Sequence, residues 1–377
     1  MFSSQPIQAY FSQADTGRNH WGYWAAGLWF AAVVWIFAQF ILSGPMFAGI
    51  MLVDPDVLSK MPESDSGAQA AKAVGGFVLF SLIAIILYLV RGKFGEKNTK
   101  AVSIIAGLFA ALSAYCIWQI IQTNDPESVE FIMGYIGKSP LTYGSMLAVF
   151  PAIAFGLFIA QRVLHQRSIK SLHTAASSFR WKRMFFSMIV FWTIAGGLSF
   201  ILHVTGVSKA ELIFNPAMFW SFFFVSLIFI PLQSATEEIM LRGYLNQGLF
   251  RIIKNPWIVF IITSAGFAAL HLSNPEVAEA SQNGNVLITV SGYFFFGFFA
   301  CVLTYIDGGL ESAIGVHAAN NLFAATVLGY EHSALPTPTI FKIGFNSDAD
   351  VLMTIAGLTL VCVIMYVTRR NTPGLEA

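Results

Sequence analysis

The stretch that decides the fold reads Ser234-Ala-Thr-Glu237-Glu238-Ile-Met-Leu-Arg242-Gly-Tyr244. It lies inside an apolar, helix-like run from Ala217 to Phe250, so three ionisable side chains stand where a membrane-spanning helix is expected. Insertion scales put a charge at the centre of such a helix at about 2.5 to 3.5 kcal/mol, so intramembrane carboxylates point to function. At 3.6 residues per turn, Glu238 and Arg242 are four apart and share a face, while Glu237 points about 100° away from Glu238. One acid is expected in an ion pair, and the other is left for chemistry.

The whole chain fits that setting. Of its 377 residues 56% are hydrophobic and only 11% charged, far below the roughly 25% charged residues of an average soluble domain. The reading is an all-α, polytopic transmembrane helix bundle of about ten helices. A net charge of +1 with no clustered basic face argues against nucleic acid as a partner. Cys116, Cys301 and Cys362 are far apart within apolar runs, which suggests neither a disulfide framework nor a cysteine metal site. The N-terminus has no basic start and the first apolar run no cleavage pattern, so that run reads as a transmembrane helix, not a signal peptide.

Working outward, the apolar runs are Trp21–Ser43, Ala73–Val90, Ala101–Ile121, Leu141–Ala160, Met184–Val204, Ala217–Phe250, Trp257–Leu272, Val286–Ile306, Ser312–Tyr330 and Val351–Thr368. Basic residues mark cytoplasmic loops. Arg91, Lys93, Lys97 and Lys100 follow the second run; Arg162, Arg167, Lys170, Arg180, Lys182 and Arg183 the fourth; Arg251 and Lys254 the sixth; Arg369 and Arg370 the tenth. All are even-numbered exits, which predicts both termini on the cytoplasmic side of a multi-pass protein of the cell (inner) membrane. Asp54, Asp56, Glu63 and Asp65, then Asp125, Glu127 and Glu130, dominate the opposite loops and agree.

The basic linker from Gln161 to Arg183 divides the chain into an accessory four-helix region, residues 1–165, and a six-helix working region, residues 166–377. In the first, Trp21, Trp24, Trp29 and Trp35 read as interface anchors, and Gly75-Gly76 and the small residues around Gly107 as sites of close helix contact. No internal repeat is evident, which counts against a transporter with a proton-coupled carboxylate.

The working region carries the polar residues: Glu237-Glu238 with Arg242, Phe267-Ala-Ala-Leu-His271, His317-Ala-Ala-Asn320-Asn321, and the isolated His203. The turn between the sixth and seventh runs centres on Lys254, before the breaker Asn255-Pro256; Glu237 and His271 each lie 17 positions from it, at about 25 Å depth in an antiparallel pair. They can face each other. His317, nearer its turn at Asp307-Gly-Gly309, comes out only about 12 Å deep, a mismatch that tilt, a projecting turn or a kink at Pro231 has to close. His317 and Asn321 are four apart and share a face. A buried carboxylate beside an imidazole suits taking a proton from water and returning it, and an Asn amide with an imidazole N–H suits an oxyanion. The parts fit amide hydrolysis with water as the nucleophile. Their structural alternatives are a plain ion pair for Glu238 and Arg242, a helix-to-helix hydrogen bond for His203 and a packing role for Phe267.

Taken in order on separate apolar helices, Glu237-Glu238-x-x-x-Arg242, Phe267-x-x-x-His271 and His317-x-x-x-Asn321 resemble the CPBP intramembrane proteases, the superfamily of the CAAX prenyl endopeptidases and the bacteriocin-processing or self-immunity (Abi) proteins. The resemblance covers roughly residues 180–332, with wider similarity to a bacterial branch at Leu172-His173-Thr-Ala-Ala, His271-Leu-Ser-Asn-Pro-Glu276 and Asp307-Gly-Gly-Leu-Glu311. It implies a glutamate-dependent intramembrane endopeptidase acting on a membrane-associated protein or peptide. Glu237 would activate water, His271 would help to position it, His317 and Asn321 would stabilise the oxyanion, and Glu238, Arg242 and Phe267 would support the site. Relatives are often labelled metalloproteases, so Glu237, His271 and His317 form an alternative zinc set. No His-Glu-x-x-His helix is present, and Glu237 does not easily serve as both tight ligand and base, so a metal-free site without cofactor is the expectation. The competing class is a catalytically silent membrane scaffold or chaperone.

Overall fold

The structure, a computed structural model, describes residues 5–61, 66–122, 126–330 and 332–369. Glu63, Asp65, Asp125 and Arg370 of the charged loops lie outside the described residues. The chain divides into two compact units, one of Gly22–Leu164 and one of Met1–Trp21 with His165–Ala377.

The chain starts with α1 (Gln5–Ser12), which belongs to the second of these units. Its Ile7, Tyr10 and Phe11 are buried, and the Tyr10 hydroxyl donates to the Leu172 carbonyl. The Gly22–Leu164 unit contains α2 (Trp21–Val53), α3 (Ser66–Val90), α4 (Glu96–Gln122), α5 (Pro126–Ile136), α6 (Pro140–Ala148) and α7 (Pro151–Val163). Helices α3 and α4 pair along their length, with the Ser81 and Ser113 hydroxyls bonded between them. Gly76 is a close-contact position, since a Cβ there would lie 2.9 Å from Cys116 Sγ. Gly75 and Gly107 face open space instead, so those two do not mark an approach between helices. Trp24 is buried and Trp29 packs edge-on against Phe77, ring centres 5.5 Å apart.

The second unit continues with α8 (Trp181–Val204), α9 (Pro216–Glu238), a π-helical turn (Ile239–Leu245), α10 (Asn246–Ile253), α11 (Pro256–Leu270), α12 (Pro275–Gln282), α13 (Val286–Asp307), α14 (Glu311–Thr326) and α15 (Ser347–Thr368). Asn215, Asn255 and Asn346 each accept a backbone N–H in the first turn of the helix that follows, satisfying donors that have no intrahelical partner. A strap of residues 327–346 joins α14 to α15. It is pinned by a small sheet in which Phe341–Lys342 pairs antiparallel with Glu211–Leu212 and parallel with Leu328–Gly329.

Each of the ten apolar runs corresponds to helix. Among the described residues eight helical stretches are long and apolar enough to cross a membrane, and a ninth counts if α11 and α12, bent by 83°, form one span. The remaining run is α14, only 16 residues long. Its residues Glu311–Ala319 are all buried, so α14 meets protein on every side and needs neither span length nor an apolar surface. At Gly315 any side chain would collide with Ser187 and the Met184 carbonyl, which is what lets α14 lie directly on α8. The protein is thus an all-α, multi-pass membrane bundle.

Two expectations about the loops change. Arg180 and Arg183 are not free positive charges at a membrane face. Arg180 holds Glu311 through Nε and Nη2 at 3.0 and 2.7 Å, and Arg183 holds Asp307 at 2.8 Å, tying the Asp307–Glu311 turn to the start of α8. His203, at the exposed end of α8, accepts a hydrogen bond from the Ala210 backbone at 3.1 Å, a contact to its own following loop and not to a neighbouring helix.

Candidate active site

The polar core forms where α9 gives way to the π-helical turn directly after Glu238. Such wide turns inside α-helices recur at functional sites. Pro231 sits within α9 without ending it. The run Pro216–Ile253 is 38 residues long, about 57 Å at 1.5 Å per residue and nearly twice a hydrocarbon core of about 30 Å. So long a run extends beyond that core. Glu237 and His317 stand at one height, His317 Nε2 being 3.8 Å from Glu237 Oε2, so the depth counted for Glu237 from the Lys254 turn is an overestimate.

Glu238 and Arg242 are fully buried and paired, Arg242 Nη1 to Glu238 Oε1 at 3.2 Å. The guanidinium also donates from Nη2 to the Gly297 carbonyl at 2.9 Å and lies over the Phe267 ring, 4.8 Å from its centre. Gly297 is needed there because a Cβ would sit 3.2 Å from Nη2 and 3.3 Å from Phe267. The same Glu238 oxygen meets His317 Nδ1 at 2.7 Å. A carboxylate only accepts, so Nδ1 carries the proton and Nε2 is turned away from Glu238. That nitrogen lies 3.8 Å from Glu237 Oε2. His317 thus bridges the two adjacent acids, one on each ring nitrogen.

Glu237 is held from its other side. Its Oε1 accepts from Gln233 Nε2, one helical turn back. Gln233 Oε1 in turn accepts from Asn321 Nδ2 at 3.1 Å and from the Ser234 hydroxyl at 3.2 Å. Asn320 Nδ2 donates to Asn321 Oδ1 at 3.0 Å. A continuous chain of hydrogen bonds therefore runs from Asn320 through Asn321 and Gln233 to Glu237. Glu237 Oε2, though buried, has no hydrogen-bond partner among the described residues.

His271 is placed differently from the face-to-face pair with Glu237. It ends α11 at the bend before α12 and is half-buried. Its Nδ1 donates to the Phe267 carbonyl at 2.7 Å, and its ring is stacked on Tyr293 with centres 4.5 Å apart. No hydrogen bond joins it to Glu237; the imidazole next to Glu237 belongs to His317. Phe267 touches both rings, 4.4 Å from His271 and 5.9 Å from His317, so it is the packing piece between two motifs. Among the described residues no three His, Cys, Asp or Glu side chains are arranged to hold a metal ion.

Gln233 and Ser234 join the cluster without having been singled out from the sequence. The available signal was Gln233 at i−4 from Glu237, on the same helix face. Outside the membrane segments, His165 is wedged between the Tyr244 hydroxyl at 2.7 Å and the Arg18 carbonyl at 2.8 Å. Burial pushes its pKa down to about 4, so it stays neutral.

Comparison with known proteins bears on this region. Residues 216–323 match the family model described as "Type II CAAX prenyl endopeptidase Rce1-like", so the resemblance carried by the three motifs extends over all the helices that build the cluster. A Bacillus subtilis (strain 168) protein described as "Uncharacterized protein YyaK" is 30% identical over 192 residues, half of this chain and 62% of that relative, less than two thirds of its length. No solved structure matches.

Proposed function

We propose, from the premise that residues 216–323 share the type II CAAX prenyl endopeptidase-like sequence family, that this chain is a glutamate-dependent intramembrane endopeptidase. The observation that carries the reading is the asymmetry of Glu237: one oxygen is anchored by Gln233, while the other is buried, without a hydrogen-bond partner among the described residues, and 3.8 Å from an imidazole. A carboxylate held by one oxygen is a positioned base with its second lone pairs turned to the reacting atoms.

In this mechanism Glu237 Oε2 takes a proton from a water molecule as its oxygen adds to the scissile carbonyl carbon. Asn321 Nδ2 donates to Gln233 Oε1 at 3.1 Å and only loosely, at 3.5 Å, to the Ser234 hydroxyl; the N–H that Gln233 does not hold serves the developing oxyanion, where a preorganised donor is worth about 10²–10³-fold in rate. Collapse of the tetrahedral intermediate breaks the C–N bond, and the proton on Glu237 passes to the departing amine. His317 is oriented by Glu238, itself held by Arg242, and its Nε2 fixes the side of Glu237 from which water approaches. With Nδ1 committed to Phe267, His271 in its neutral form presents Nε2 as an acceptor, which suits it to hold a water O–H. The site works without metal or cofactor, its substrate is a protein or peptide associated with the bilayer, and both termini face the cytoplasm of the cell membrane.

The test is cleavage by the full-length protein in liposomes, read by mass spectrometry on peptides drawn from a cellular comparison of wild type with Glu237→Gln. Products made by wild type and absent with Glu237→Gln support the reading. Equal products from both, or a cellular phenotype kept by Glu237→Gln, sink it in favour of a scaffold.

A further inference from the structure

Next to the polar cluster lies a cavity of about 540 Å³ walled by α8, α14, α15 and the strap. Glu237 and His317 are not in its wall, but two wall residues touch the cluster. Phe296 meets the His317 ring edge-on, centres 5.1 Å apart, and Asn320 donates to Asn321. Whatever fills the cavity therefore sits one residue from the proposed oxyanion donor.

The wall is apolar and rich in rings, among them Phe191, Phe323, Tyr330 and Phe345. It contains a single Asp, Glu, Lys or Arg side chain among the described residues, Asp350. Asp350 is exposed in the first turn of α15, and no hydrogen bond or ion pair engages its carboxylate among the described residues. A second acid stands behind the wall. Glu276 of α12 is 3% exposed; its Oε1 accepts from the Tyr330 hydroxyl at 2.9 Å and from Ala334 N at 2.8 Å, while no hydrogen bond within 3.5 Å engages Oε2 among the described residues. The Glu276 and Asp350 charges repel each other, Tyr293 and Tyr330 belong to the same group of side chains, and His203 lies in the same wall as Asp350.

Two like charges near one another repel, and a cation set between them relieves that repulsion. Ring faces attract the same kind of group. A lysine or arginine side chain matches both features, with an apolar stem for the walls and a charged head for the carboxylate. We infer that the cavity is a specificity pocket for a basic side chain, Lys or Arg, of the polypeptide acted on at the adjoining site. Cation binding stands on the cavity itself; that the cation belongs to a substrate rests on the hydrolase reading.

The experiment uses the full-length protein in a neutral maltoside detergent, titrated with dansylcadaverine, a primary amine, and with N-butyl dansylamide, its neutral counterpart. The amine is expected to bind about tenfold more tightly, and Asp350→Asn to bring the two ligands to parity. Thr354→Lys, which places a tethered ammonium one turn from Asp350 on the cavity wall, is expected to abolish amine binding with the thermal unfolding midpoint retained. Equal binding of the two ligands, or an amine preference that survives Asp350→Asn and Thr354→Lys, overturns the inference. A pair of labelled peptides differing only in Lys against Leu then separates the two readings. An Asp350-dependent Lys preference with no cleavage by wild type keeps the pocket and defeats the hydrolase; cleavage of both peptides at one rate, with no preference in binding, does the reverse.

Discussion

The two compact units handle polarity inside an apolar chain in opposite ways. In Gly22–Leu164 the buried polar side chains among the described residues are neutral, such as Ser81, Ser113, Ser139, Thr142 and Ser145, and its ion pair, Lys60 with Asp54, is at the surface. In the unit of Met1–Trp21 and His165–Ala377, Glu237, Glu238, Arg242, Asp307, Glu311 and His317 are all buried. Neutral hydroxyls are satisfied by one or two hydrogen bonds to nearby carbonyls, Ser145 to Leu141 of its own helix and Ser113 to Phe77 of the neighbouring one, and cost little to bury. A buried carboxylate needs a partner from elsewhere, and removing that partner leaves the whole desolvation penalty behind. One unit therefore tolerates change in its polar residues, and the other is a set of interdependent charges.

That contrast can be broken or sharpened by measurement. The largest expected effect is on activity: Glu237→Gln lowers the cleavage rate by about 10²–10⁴-fold, the range for a positioned acid–base group, with the unfolding midpoint little changed. A smaller kinetic loss than that of a helix-face serine in the other unit would erase the distinction. Next comes Arg242→Ala, which strands Glu238 without a countercharge and should cost about 3–5 kcal/mol of stability, read as a drop in thermal midpoint in detergent; Arg242→Ala with Glu238→Gln together should recover much of it.

His165 gives an intermediate, pH-dependent effect. Its folded pKa lies below the ordinary 6.5, at about 4, so between those values the unfolded chain binds the proton that the folded one refuses. Its contribution is complete above pH 6.5 and is lost as pH falls toward 4. Subtracting the stability profile of His165→Gln from that of wild type should leave a curve that bends only in that window; a flat difference would mean that the ring is solvated. The smallest effect belongs to the other unit, where Ser113→Ala removes the hydroxyl pair with Ser81 and should cost about 0.6 kcal/mol, typical of hydrogen bonds between membrane helices.

Much of this was legible in one dimension. The apolar runs marked every long helix, and the i,i+4 spacing of Glu238 and Arg242 and of His317 and Asn321 put each pair on one face. What failed was the assignment of partners across helices. Equal distance from the Lys254 turn suggested Glu237 opposite His271, but the long α9–α10 run projects past the hydrocarbon core and His271 sits on a bend, bonded to its own helix. Arg180 and Arg183 looked like membrane-face charges because nothing in their local pattern announces Glu311 and Asp307, more than a hundred positions away. Gln233 was passed over for a related reason: an amide has no charge to betray it within an apolar run.

Solvent, helical period and the residues that share a face are readable from the chain alone, because each depends on burial preference and on neighbours within one or two turns. Tertiary structure alone decided that His317 stands between Glu237 and Glu238, that Gln233 links Asn321 to the acid, and that a cavity with one carboxylate adjoins them. Those outcomes depend on the relative height and rotation of separate helices, set by close approaches such as Gly315 on α8 and by the π-helical turn after Glu238, and no local pattern encodes either.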